Sequence, residues 1–247
     1  MLRVHDGHKN ARRFFGSRNA ASYDSVVRLT TFGKDLMWKK QIMNIIRLDT
    51  KKRENFSETV ILDLACGTGI LSSMLLDTRP NIKNIIGLDL TFDYLEVAKN
   101  KIKCKNIVAD NDKPFLFANS TAEVIPFKNK CFDIITSSYM AKYIDIQRVV
   151  DECWRVMKHN GIIVVHDFTY PQNTLFQSFW NFYFVILQFA GNFIKSWETV
   201  FRELCQVIKT SKWVEQTLYA LNEKGFENIM CNYYTCDTSA IISAVKP

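Results

Sequence analysis

Two glycines and two carboxylates suggest where to look for chemistry. Residues 63–69 read Asp-Leu-Ala-Cys-Gly-Thr-Gly, directly after the apolar run Thr59-Val60-Ile61-Leu62. Gly67 and Gly69 permit a tight turn whose backbone comes close to a ligand. The free amides and positive dipole end of the helix that follows face the same spot. A second apolar run ends in Asp89, at the place where a carboxylate accepts the hydrogen bonds of a ribose diol. A dinucleotide-binding turn calls for a third glycine, and Ser72 stands in that position. Asp63 at the end of the first strand would repel a pyrophosphate but attract the ammonium of a methionine moiety. The set Asp63, Ala65, Cys66, Gly67, Gly69, Asp89 and Leu90 therefore fits S-adenosyl-L-methionine better than a nicotinamide dinucleotide.

Positioning those residues requires strands that end together. Short β-branched runs at 58–65, 84–90, 114–120, 132–139 and 160–168 read as buried strands. Helical periodicity separates several of them, as in Leu95, Ala98 and Ile102, or Val149, Val150, Cys153, Trp154 and Met157. A last helix closes at Gly225, and "NIMCNYYTC" and "SAIISAV" follow with only a short turn between them, which predicts an antiparallel edge. The expected fold class is α/β, a mostly parallel seven-stranded sheet with an antiparallel edge. The expected layout is one domain: a helical cap (1–56), a cofactor-binding core (57–168), a helical lid (169–212), and a C-terminal helix with edge strands (213–247).

Composition narrows the partners. The 247 residues are 47% hydrophobic and 23% charged, the balance of an ordinary globular chain. The net charge of +7 is spread over Lys9–Arg18, Lys34–Arg53 and Lys99–Lys105 rather than gathered in one stripe, so no nucleic-acid partner is expected. Seven cysteines occur without CxxC or zinc spacing, which predicts reduced thiols and no metal. The N-terminal "MLRVHDGHKNARRFF" has no apolar signal region, so a cytoplasmic location is expected. Amine methylation of nucleic acid or protein commonly uses a Pro-Pro-aromatic motif after the fourth strand, where Thr136-Ser137-Ser138-Tyr139 stands, and no proline precedes a cysteine as cytosine C5 methylation would require.

From Asp63 onward the chain resembles class I methyltransferases, and in finer detail the ubiquinone/menaquinone biosynthesis C-methyltransferase family. "YDSVVRLTTFGKDLMW" (23–38) is similar to that family's N-terminal signature, keeping Tyr23, Asp24, Phe32, Gly33 and Trp38, with Thr31 for serine. "TAEVIPFKNKCFD" (121–133) and "RVMKHNGIIVVHDFTYP" (155–171) resemble two further family segments. The resemblance covers roughly residues 14–246 and implies a Rossmann-like class I fold with N-terminal helices and a helical lid after the fifth strand. It implies that Tyr23 and Trp38 cap the cofactor and that Thr121, Ala122 and Ser137 join its site. Thr121 replaces the family's adenine-contacting Asn or Asp. The family's Arg-Asn pair becomes Lys142-Tyr143, and His166 replaces a leucine before Asp167.

The implied reaction is methylation of a ring carbon on a lipophilic quinol precursor, with His166, Tyr143 and Lys142 as candidate bases or phenolate stabilisers. A methyltransferase for another small apolar acceptor, and a non-catalytic member of the fold, stay open as alternatives. Residues 168–194 carry no charge and are crowded with aromatics. At about 100° per residue, Gln177, Asn181, Gln188 and Asn192 share one sector, with Phe179, Phe182, Ile186, Phe189 and Phe193 opposite. The expectation is an amphipathic lid whose aromatic side lines the acceptor pocket, with peripheral membrane contact through 174–194.

Overall fold

The computed structural model describes residues 4–50, 59–78, 82–109 and 115–247. The expected cap–core boundary at 56–57, the start of the first strand at Glu58 and Pro114 of the third lie outside them. Seven strands form one sheet in the order β3-β2-β1-β4-β5-β7-β6: β1 (Thr59–Leu64), β2 (Ile82–Asp89), β3 (Phe115–Asn119), β4 (Phe132–Ser138), β5 (Met157–Phe168), β6 (Glu227–Tyr234) and β7 (Ser239–Val245). β1 to β5 run parallel to one another, and β7 pairs antiparallel with both β5 and β6. The strand order reverses beside β1, between β2 and β4, which opens a crevice at the carboxyl ends of these strands.

Consecutive apolar residues send alternate side chains to opposite faces of the sheet. Ile61, Ile85, Ile134 and Ile162 pack with Ile42, Ile46, Leu71 and Leu75 of α4 (Lys34–Thr50) and α5 (Ile70–Thr78). Leu62, Ile86, Ile135 and Ile163 pack on the other face with α7 (Ile146–Val156) and α10 (Trp213–Lys224). α6 (Phe92–Ala109) lies against β2 and β3. Gly225 ends α10 at φ +90, the left-handed cap that glycine adopts without penalty. β5 begins at Met157, three residues before the expected start, because Met157 pairs with Phe132 before a register shift.

Two further layers cover the crevice. On one side lie α1 (Val4–Phe14), the short α2 (Ser17–Ala20), α3 (Tyr23–Thr30) and the start of α4. On the other lie α8 (Thr174–Gly191) and α9 (Glu198–Thr210). Asn173 caps α8 by accepting from the amides of Leu175 and Phe176. Gly191 is where α8 crosses α9: a Cβ there would stand 3.3 Å from the Glu198 Cα. Among the described residues no helix is long and apolar enough to cross a membrane.

Candidate functional site

The turn after β1 is conformationally constrained. Ala65, Gly67 and Gly69 all have positive φ, at +52, +56 and +75. A Cβ on Gly67 would meet only the Tyr94 ring at an ordinary 3.7 Å, so backbone conformation, not space, calls for glycine there. At Gly69 both matter, since a Cβ would lie 3.1 Å from that of Ala98 on α6. Asp89 ties the turn to the end of β2. Its Oδ2 accepts from the Gly67 amide and its Oδ1 from the Thr91 amide, each at 2.8 Å. Burial raises its pKa against the opposing pull of those amides.

Asp24 fastens α3 to the same turn, accepting from the Thr68 hydroxyl and from Lys101 Nζ, each at 2.5 Å. Lys101 also donates to the Thr68 carbonyl at 2.8 Å. The neighbouring Tyr23 is thereby held over the crevice, its ring 5.2 Å from that of Tyr94.

Two cavities meet beneath this cap. The first is walled by the turn and the strand ends: Ala65, Gly67, Asp89, Leu90, Thr121 and Ala122 all face it. The second, of about 350 Å³, lies between the cap and the α8–α9 layer and is walled largely by aromatic and aliphatic side chains. Phe15, Tyr23, Tyr139 and Tyr143 line both, so the wall the two cavities share is an aromatic collar. Phe15 stands edge-on to Tyr23 and to Tyr143, each at 6.0 Å between centroids. Aromatic faces of this kind attract a cation.

The collar has a strained member. Tyr139, immediately after β4, has φ +70, rare for a bulky residue and worth about 1–3 kcal/mol of strain. Its amide donates to the His166 carbonyl at 2.8 Å and its ring stacks on Phe168 at 4.7 Å. The hydroxyls of Tyr139 and Tyr143 are buried without a hydrogen-bond partner. Burial raises the pKa of both well above the ordinary phenol value, so both stay protonated donors. Lys142, also on the wall of the larger cavity, reaches Asp167 Oδ1 at 2.5 Å and the Tyr139 carbonyl at 2.9 Å. Burial pulls its pKa down while Asp167 opposes the shift.

Several expected site residues occupy other places. His166 is fully buried, with Nδ1 2.8 Å from the Ser138 hydroxyl and Nε2 2.9 Å from that of Ser239. Its ring lies between Trp38 and Tyr139, and burial beside Lys39 and Lys142 pushes its pKa well below the usual value. It lines neither cavity. Trp38 lines the larger cavity rather than the smaller one, with its indole N–H donating to the Thr235 hydroxyl at 3.0 Å. Asp63 points under the turn, accepting from the hydroxyls of Ser72 and Thr136, and burial lifts its pKa to about 6. Cys66 is buried beneath the turn and Ser137 faces a separate small void under α7. Residues the sequence did not single out, among them Phe15, Thr91, Tyr94 and Ser120, complete the smaller cavity.

α8 does wall the larger cavity, but not through the face expected. Phe176, Trp180, Tyr183, Phe184 and Leu187 line it. Of the predicted lining face only Phe179 touches it, and Phe182, Ile186, Phe189 and Phe193 point to solvent. The amide stripe is narrow and leaves apolar residues on both its flanks. Asn181 turns to the Tyr170 hydroxyl and Gln177 to the Pro171 carbonyl.

The ubiE/COQ5 methyltransferase family profile matches residues 6–246. The chain belongs to that family. It is 29% identical to the demethylmenaquinone methyltransferase of Thermotoga maritima, over 89% of each chain. It is 28% identical to the ubiquinone/menaquinone biosynthesis C-methyltransferase UbiE of Campylobacter jejuni, over 92% of this chain and 94% of that one. A putative S-adenosyl-L-methionine-dependent methyltransferase from Methanococcus maripaludis shares the fold, with a TM-score of 0.64 at 17% identity, over 94% of this chain and 93% of that one. This ubiE/COQ5 family member is thus an S-adenosyl-L-methionine-dependent methyltransferase with a Rossmann-like class I fold.

The residues present suit that cofactor. Asp89 offers a carboxylate on the cavity wall at the end of β2, the left-handed turn brings bare backbone to the same wall, and the collar offers aromatic faces toward a sulfonium. Among the described residues no group of three or more His, Cys, Asp or Glu side chains could hold a metal ion.

Proposed function

We propose that this methyltransferase transfers a methyl group to a ring carbon of a lipophilic quinol, as in ubiquinone or menaquinone biosynthesis. The observation that carries the reading is the pair of adjacent cavities that share Phe15, Tyr23, Tyr139 and Tyr143 as a wall, the larger one apolar and lined by rings. A volume of about 350 Å³ suits a flat ring system with the first part of a hydrocarbon tail. The names of the family's relatives point the same way.

The cofactor supplies a methyl group on a sulfonium, an electrophile that leaves a neutral thioether behind. The chain's own residues make the acceptor a nucleophile. Tyr139 and Tyr143 donate their unpartnered hydroxyls to a ring oxygen of the quinol. When that oxygen loses its proton, the two donors and the Lys142 ammonium hold the negative charge. Delocalisation carries the charge to the ortho carbon, which faces the collar and attacks in line. The hydroxyl proton leaves to solvent before the transfer, and the hydrogen of the methylated carbon leaves as a proton to solvent after it, which restores the aromatic ring. Asp167 keeps Lys142 in place. His166 serves this reading as a support, fixing Tyr139 through its carbonyl and ring.

The test is incubation with methyl-labelled cofactor and a reduced demethylated naphthoquinol bearing a short prenyl tail. Label in the ring, located by mass spectrometry, is the expected result. Label in a different apolar compound of a lipid extract, with none in the quinol, would overturn the acceptor assignment.

A further inference from the structure

We propose that the outer face of α8, together with Leu29 and Phe32, seats this protein on the surface of an anionic lipid bilayer. The proposal deepens the lipophilic-acceptor reading and rests on it for the purpose of the contact. α8 carries no charged residue, and most of its outward side chains are large and apolar: Phe182 and Phe189 are each 66% exposed, and Phe193, just past its end, is 74% exposed. Val185 and Ile186 fill the gaps between them. A water-facing helix that only covered a pocket would place polar residues there, whereas an interfacial helix buries such a face at the headgroup boundary.

The patch extends beyond α8. Tyr183 donates its hydroxyl to the Thr30 carbonyl, and its ring lies 5.7 Å from that of Phe32. Phe32, 78% exposed, follows α3 and stands near Leu29, itself 74% exposed. The two apolar surfaces, on segments far apart in sequence, are therefore neighbours in space. Exposed cations border them: Arg28 beside Leu29, Lys34 beside Phe32, and Lys195 beyond the end of α8. Lys195 and Arg202 share Glu198, at 3.4 and 2.5 Å, so the unshared charge of the border rests mainly on Arg28 and Lys34. Cations around an inserted apolar face suit anionic headgroups.

Continuity with the cavity favours a bilayer over a protein partner. Phe32, Lys34, Phe176 and Phe179 are exposed and also line the larger cavity, so its mouth opens within the patch. A second copy of the chain seated there would stopper that mouth. A bilayer would instead supply an acceptor whose tail stays in the lipid.

The experiment uses the full chain with vesicles, without acceptor. Sedimentation is measured with phosphatidylcholine vesicles and with equimolar phosphatidylcholine and phosphatidylglycerol, for the wild type and for Phe182→Ser/Phe189→Ser/Phe193→Ser, none of which lines the cavity. The wild type is expected to bind the anionic vesicles at least tenfold more tightly than the neutral ones, and the triple variant to lose that binding at least tenfold. Its circular dichroism and its turnover of a short-tailed soluble quinol should match the wild type. No wild-type binding, or unchanged binding by the variant, overturns the proposal. A wild-type dimer by light scattering that becomes monomeric in the variant overturns it in favour of a second copy. Vesicle binding that follows expectation while no quinol is methylated leaves the docking surface standing and removes the acceptor reading alone.

Discussion

At the scale of single residues, the site depends on polar groups held where water does not reach. The Tyr143 hydroxyl is buried with no partner, an arrangement that costs about 1–3 kcal/mol and makes sense when a ligand completes it. Tyr143→Phe should therefore raise folding stability by about 1 kcal/mol while lowering kcat about tenfold to a hundredfold, with cofactor affinity unchanged. Denaturant titration, steady-state kinetics and calorimetry read the three quantities, and unaltered kcat would remove the hydroxyl from the chemistry. Asp63 shows the opposite economy of charge. Burial lifts its carboxyl from 3.8 to about 6, so the folded state holds the proton more tightly than the unfolded one. Its charge thus weakens the fold above pH 6, and stability returns as pH falls from about 6 through 3.8. Asp63→Asn should raise the thermal midpoint at pH 7.5, by no more than the equivalent of about 3 kcal/mol. That advantage should fade as the pH falls toward 4. A constant difference across this range would show that the carboxyl is not raised.

Between elements, two close contacts place the walls of the site. Asp24 latches α3 to the glycine turn through Thr68 and Lys101, which explains physically why an aspartate follows Tyr23. Gly191 lets α8 cross α9 at short range, with Glu198 backbone 3.3 Å from where a Cβ would stand. Gly191→Leu should push the helices apart and reshape the larger cavity without touching the smaller one. Calorimetry should then find cofactor affinity within about twofold of wild type, while KM for the quinol rises about tenfold or more, given that a misplacement of about 1 Å can cost a hundredfold. Equal losses on both sides would mean that the two cavities are not independently built. Arg155, in one of the family-like segments, works at this scale too. It donates to the carbonyls of Ile125 and Phe127 and so holds the loop that leads from the smaller cavity to β4.

For the whole molecule, the cap and the α8–α9 layer have their own small apolar clusters, separate from the two large ones on the faces of the sheet. Phe14, Tyr143, Trp197 and Phe201 make one of them, so the cap is joined to the rest through the site itself. Ligand binding should then stabilise the cap as well as the turn. With S-adenosylhomocysteine at about 100 times its dissociation constant, global stability should rise by about 2.7 kcal/mol. Hydrogen exchange should slow in residues 11–30 in addition to 63–69 and 88–91. Protection confined to the turn and strand ends would show that the cap does not close over the ligand.

What the sequence determined by itself is local. The glycine turn with its left-handed residues, the carboxylate at the end of β2, the strand alternation and the cap at Gly225 each depend on a few neighbouring residues. The family-like segments extended that reading to the order of the elements. Tertiary structure decided the rest, because it depended on partners far along the chain. His166 is fixed by Ser138 and Ser239, and Trp38 by Thr235, so one leaves the site and the other moves to its larger cavity. The same holds for α8, which is apolar on most of its circumference. Periodicity identified the helix and its amides, but only packing against α9 and the cap selected which apolar face turns inward and which is left on the surface.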